Sequence, residues 1–253
     1  LTACDWFIYD NKGNRVEGLS SSEKFLSEVG FSKKRLSPEE VSMWKKLLSD
    51  RSPKSEVSYS AFRVQNPIKP SQIPLSWRKP KGVHIAPSQP EVMIAMLDFF
   101  KPGAGFIMSD PGWQLAEKTL DEIKPILSRL DAFIPSEIEL QSLVPSTGLA
   151  DGLDILSKDC PGIVAVKLGM EGVLIWDRQN KNTIKVPCIP TESIDPTGAG
   201  DSFCGGFLAG FIETENPLMA ARFGTISAAK IVTNFGADSG LPFDRNIARA
   251  TLQ

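Results

Sequence analysis

Strand-like and helix-like signals alternate from residue 82 to the end of the chain, and that alternation admits few architectures. Residues 82–86 (Gly-Val-His-Ile-Ala) and 105–109 (Gly-Phe-Ile-Met-Ser) are short apolar runs bounded by Gly, Pro or Asp, as buried parallel strands usually are. Between them, Ser88-Gln89-Pro90-Glu91 offers a cap, a first-turn proline and a capping-box glutamate. A helix is predicted from there to about Phe100, with Gly103 just past its end. A further helix is expected within residues 114–130, with Pro125 as a kink or restart. A strand at 131–135, a helix from Glu137, a helix at 150–158 and a strand at 162–167 follow. Residues 172–176 and 183–188 read as a hairpin, and helices near 201–213, 216–233 and 243–251 finish the chain. Such a pattern implies a mostly parallel sheet covered on both faces, with ligands beyond the carboxyl ends of its strands. Asp110, Ser136, Lys167 and the 195–201 turn all follow strands directly, so they are expected to converge on one edge.

Residues 1–80 behave differently. Trp6 to Arg15 looks like a strand entering a turn, and the alternating run Val57 to Val64 looks like another strand. Between them, Ser37-Pro38-Glu39-Glu40 caps an amphipathic helix that carries Val41, Trp44, Leu47 and Leu48 on one face, expected to be core. Pro67, Pro70, Pro74 and Pro80 mark an irregular connection into the main domain at residues 81–253.

Charge argues against two classes of partner. With 28 Lys and Arg against 30 Asp and Glu, the net charge of −2 and the lack of a basic block disfavour nucleic acid or an anionic membrane. Apolar runs such as Gly172-Val173-Leu174-Ile175-Trp176 are far too short to span a bilayer, and no secretory signal opens the chain. The four cysteines form no CxxC pair, so a reducing cytoplasm is expected rather than a disulfide framework. His84, the one histidine, lies in an apolar strand and reads as a hydrogen-bonded strand residue rather than a catalytic one.

The chemistry concentrates in residues 195–206, Asp-Pro-Thr-Gly-Ala-Gly-Asp-Ser-Phe-Cys-Gly-Gly. A glycine-rich turn at a helix start presents backbone N–H groups and the positive end of the helix dipole to an anion. Asp201 follows at once, as a general base or a plain helix cap. Lys167-Leu168-Gly169-Met170-Glu171-Gly172 lies upstream at a strand end.

Together these segments resemble the ribokinase/PfkB family of carbohydrate kinases, whose signature has the form D-T-x-G-A-G-D followed by F-x-x-G-F, here Asp195 to Asp201 and Phe203 to Phe207. The resemblance covers residues 82–245. It implies a ribokinase-like three-layer α/β/α sandwich with a mostly parallel central sheet, and a small β lid built from residues 1–80. It also implies ATP-dependent phosphorylation of a hydroxyl on a sugar or sugar-like molecule, with Asp201 as the base and the N–H groups of Gly198, Ala199 and Gly200 as the anion hole.

By the same resemblance, Lys167, Gly169 and Gly172 line the nucleotide site, although Lys167 stands where many members have Thr and also reads as a surface lysine. Ser136 and Glu139 match the P-N-x-x-E segment with Ser for Asn; Glu139 would act on Mg²⁺ through water, or be a solvated helix residue. Asp195 and Thr197 match a monovalent cation site, K⁺, completed by carbonyls near Asn234 to Ala237. Asp110 is either a phosphate-site acid or a helix cap.

The family's opening strand with a substrate-binding Asp, and its G-x-G-x-N helix, are not found, so the chain is expected to be amino-terminally shortened or to have a first segment diverged past recognition. A nucleotide-binding pseudokinase and a nucleoside kinase are therefore the alternatives, and pairing of lid strands would make a homodimer.

Overall fold

The computed structural model describes residues 4–9, 15–20, 36–49, 59–145, 147–236 and 244–251. They form two compact units, one on each side of the Pro67–Ile68 junction. In the smaller unit, β1 (Cys4–Tyr9) and β2 (Arg15–Ser20) pair antiparallel, with Trp6 opposite Gly18. Helix α1 (Pro38–Ser49) lies against that pair. Its start is a reciprocal capping box: Ser37 N–H donates to Glu40 Oε2 at 2.8 Å, and Glu40 N–H to Ser37 Oγ at 3.3 Å. Of the expected apolar stripe only Val41 is buried; Trp44 is half-buried, Leu47 is exposed, and the Leu48 side chain lies outside the described residues.

The strand expected at residues 57–64 is instead α2 (Tyr59–Gln65), with Val57 and Ser58 outside the described residues. Alternation marks a strand only where one face of it is buried. Here Phe62 and Val64 are both exposed, so nothing holds a pleated register, and local bonds such as Asn66 N–H to Phe62 O prevail.

The larger unit is built on a six-stranded sheet in the order β3-β4-β5-β6-β7-β8. Strands β3 (Val83–Ile85), β4 (Ile107–Ser109), β5 (Ala132–Phe133) and β6 (Ile163–Lys167) run parallel, whereas β7 (Val173–Asp177) and β8 (Asn182–Val186) continue antiparallel. Successive side chains point to opposite faces of a strand, and two cores result. Ile107, Phe133, Val164 and Val166 pack under α3 (Pro90–Phe100), α5 (Leu120–Leu127), α6 (Glu137–Leu143) and α7 (Leu149–Asp159). Met108, Ala132, Ile134, Ala165 and Ile175 pack on the other face under α8 (Ala199–Thr214) and α9 (Pro217–Ile231). The sandwich is thus three-layered. A last helix, α10 (Arg245–Ala250), joins α8 through the Arg249–Glu213 ion pair. No helix among the described residues is long and apolar enough to cross a membrane.

Two expected helix starts differ in detail. Gln89, rather than Ser88, is the cap residue of α3, with Pro90 in its first turn. The expected 114–130 helix is two: α4 (Gly112–Ala116), then α5, which restarts at the Thr119/Glu122 capping box. The break therefore comes at Thr119, whose N–H donates to Glu122 Oε2 instead of to a carbonyl of the preceding turn, while Pro125 sits inside α5.

Candidate active site

Parallel strands β4, β5 and β6 end together. Lys167 N–H donates to Pro135 O at 2.8 Å, and Ser136 and Lys167 form an isolated parallel bridge. Ser109 Oγ donates to Ile85 O at 2.7 Å, tying the ends of β3 and β4. These links bring Asp110, Ser136 and Lys167 to one edge, as their positions after strands imply.

Asp110 is buried and uses both carboxylate oxygens. Oδ1 accepts from His84 Nε2 at 2.8 Å and Oδ2 from Lys167 Nζ at 2.9 Å. Burial alone would raise the Asp110 pKa, but the His84 hydrogen bond and the Lys167 charge outweigh it and hold the carboxyl below its ordinary 3.8. It is no helix cap, because α4 is entered through Pro111 with no side-chain cap.

Nor is Lys167 a surface lysine, since its side chain is only 13% exposed. Burial works against its charge; the facing Cys204 and the Asp110 carboxylate favour it, Glu139 adds to them, and the outcome lies above the ordinary 10.5. Cys204 is itself pushed up to about 12, chiefly by burial, so at neutral pH it is a thiol and Asp110 is the anion that keeps the ammonium charged.

From β6 the Lys167 ammonium reaches across to α8. It stands 3.8 Å from Cys204 Sγ, and a Cβ on Gly200 would lie 3.6 Å from it. Helix α8 starts two residues earlier than the apolar pattern suggests. Gly198, at φ +81°, is the cap residue, so Asp201 is in the first helical turn rather than capping it, and is exposed. Ala199 N–H donates to Pro196 O at 3.1 Å.

Ser136 caps α6, and its own N–H donates to Glu139 Oε2 at 2.6 Å. Glu139 is therefore a capping-box residue rather than a free helix-face acid, with Oε1 left for a further contact. Gly169 and Gly172 frame the turn between β6 and β7, closed by Leu168 N–H to Gly172 O at 2.8 Å. Asp195 Oδ1 accepts from Thr197 N–H at 2.9 Å, and the N–H groups of Ile194 and Asp195 both donate to Val232 O, beside residues 234–236; Ala237 lies outside the described residues.

His84 is the hydrogen-bonded strand residue that its apolar run implies; what the sequence left unnamed is its partner, Asp110, which follows the neighbouring parallel strand. Cys204 likewise lies four residues beyond Gly200, one helical turn along the same face.

The sequence pattern of the pfkB family carbohydrate kinases matches residues 79–244. The chain is 35% identical over 133 residues to an uncharacterized sugar kinase of Archaeoglobus fulgidus, covering 53% of this chain and 52% of that one. It is 29% identical over 165 residues to a cytidine kinase of Thermococcus kodakarensis, covering 65% and 59%. The chain thus spans little more than half the length of these curated relatives. A fructokinase of Vibrio cholerae O395, solved with fructose, ADP and calcium, superposes with a TM-score of 0.61 at 25% identity over 74% of this chain and 65% of that one. A ribokinase of Thermotoga maritima shares the fold, with a TM-score of 0.61 at 21% identity over 99% and 69%. Fold, strand-end cluster and glycine turn coincide with a pattern that spans most of the larger unit, and the chain belongs to the pfkB family of carbohydrate kinases.

Proposed function

We propose that the larger unit is the phosphoryl-transfer domain of an ATP-dependent kinase acting on a hydroxyl of a sugar or sugar-like molecule. The observation that carries this reading is the meeting of the Lys167 ammonium with the first turn of α8, where Asp201 is exposed. A fixed cation beside a helix start suits a polyphosphate, and a carboxylate next to it suits an attacking hydroxyl.

ATP supplies the phosphoryl group and Mg²⁺ the divalent charge that neutralises it. Asp201 takes the proton from the acceptor hydroxyl, an effect worth about 10²–10⁴-fold. Negative charge on the phosphoryl oxygens is met by Lys167 and the α8 start. Within that start Gly198 and Gly200 take the larger share, because Ala199 N–H already donates to Pro196 O. Glu139, held by Ser136, would hold magnesium through water, while Gly169 and Gly172 would shape the nucleotide-side turn. Asp195 and Thr197 would offer hard oxygen ligands to K⁺.

Relatives named cytidine kinase and nucleoside kinase favour a nucleoside acceptor as the second reading. The β1–β2 unit serves as a lid-type element and as the surface for pairing with a second copy; a monomer by light scattering at all accessible concentrations removes the pairing.

Asp201→Asn is expected to lower phosphoryl transfer at least 10²-fold while ATP affinity stays within a few-fold. ATP consumption is measured against a panel of sugars and nucleosides. Equal rates for variant and parent would exclude Asp201 as the base. A parent that binds ATP yet turns over no panel member would replace the kinase by a nucleotide-binding protein.

A further inference from the structure

Three elements of different sequence origin meet at Lys167. Among the described residues its ammonium bonds Asp110 Oδ2 at 2.9 Å and faces Cys204 Sγ at 3.8 Å. Asp110 in turn is gripped from its other side by His84 Nε2 at 2.8 Å. Since Asp110 is ionised, Nε2 carries the proton in that bond.

The donor atoms of His84, Asp110 and Cys204 all lie within 4.8 Å of one another, a spacing that suits a metal ion. The lysine ammonium already stands among them, so a divalent ion would meet a fixed like charge there. The chain supplies its own cation.

A lysine head on a flexible four-carbon stem is otherwise a poorly placed charge, with much rotamer entropy to lose. Here Asp110 removes that freedom, and His84 removes the freedom of Asp110. The side chains of Lys167, Asp110 and His84 are 13%, 7% and 15% exposed, so none of the three swings through solvent. An ammonium has three donors, and with two aimed at Asp110 and Cys204 the third remains for a ligand on the Gly200 side. Gly200 carries no side chain to intervene.

Resting on the kinase reading above, we infer that Asp110 and His84 are positioning residues that hold the Lys167 ammonium in place for the phosphates of the nucleotide. They touch no substrate themselves and act only through Lys167. The consequence is specific: they matter for phosphate binding and not for the nucleoside part of the ligand.

Calorimetric titration of the full chain with ATP, and separately with adenosine, tests this. Lys167→Met and Asp110→Asn are each expected to weaken ATP about 10-fold or more, the worth of a charge-assisted hydrogen bond, and to leave adenosine within about 2-fold. In the Lys167→Met background, Asp110→Asn should add nothing further, because its effect passes through the missing ammonium. His84→Leu should weaken ATP a few-fold and His84→Gln, which restores a donor to Asp110, should not.

Should Asp110→Asn not fold, the His84 pair and the Lys167→Met variant carry the test. Parallel loss of ATP and adenosine affinity in every variant, or ATP affinity unchanged by Lys167→Met, overturns the inference while leaving the kinase reading intact. A parent that binds ATP no better than adenosine overturns both.

Discussion

Gly172 shows how much a single position is asked to do. Its backbone sits at φ +93° and ψ −130°, and a Cβ there would lie 2.2 Å from Val186 O. Left-handed backbone and close approach of β8 both demand glycine. Gly172→Ala should therefore lower stability by about 3 kcal/mol, strain and overlap acting together, read as a fall in the urea midpoint at unchanged slope. An unchanged midpoint would show that the β6–β7 turn relaxes freely. Gly172 and the Gly198 turn were legible in the sequence as glycines beside strand and helix ends. The grip on Lys167 was not, because its carboxylate lies 57 residues away and that carboxylate's histidine a further 26.

At the scale of elements, α8 and α9 approach each other closely. A Cβ on Gly206 would stand 2.6 Å from the Phe223 backbone carbonyl oxygen, and one on Gly210 would stand 3.0 Å from the Ala220 Cα. Backbone cannot step aside as a side chain can, so Gly206→Ala should destabilise by about 1–3 kcal/mol despite the better helix propensity of alanine. The adjacent Gly205 is exposed with nothing within 4 Å of its missing Cβ. Gly205→Ala should accordingly stabilise by up to about 1 kcal/mol. Thermal denaturation of the two variants side by side checks this, and equal shifts would deny the close packing. The family's F-x-x-G-F pattern thus has a packing reason on this chain as well as its chemical neighbourhood. The Thr119 restart was also written in the sequence, as Thr-x-x-Glu, and was hidden only by the stronger signal of Pro125.

For the molecule as a whole, the buried Lys167–Asp110 pair links stability to acid. The folded Asp110 pKa is below its ordinary 3.8, so its contribution is complete above that value and is lost as pH falls through the lowered one. Urea midpoints of the parent and of the Asp110→Asn/Lys167→Met double variant, which leaves no charge unpaired, should keep a constant gap from pH 7 down to about 4 and then move against the parent. A gap constant to pH 2 would show that folding does not lower the Asp110 pKa. The architecture itself was determined by sequence alone: alternating strand and helix signals, continuous apolar strands and the 195–206 turn specify a two-sided, mostly parallel sheet with a glycine-rich helix start, because those features are local periodicities. Only the tertiary structure decided which faces were buried in residues 36–47 and 61–65, and that His84, Asp110, Lys167 and Cys204 form one cluster. Ion pairs between strand ends depend on register and on the depth at which each strand stops, and no local pattern records either.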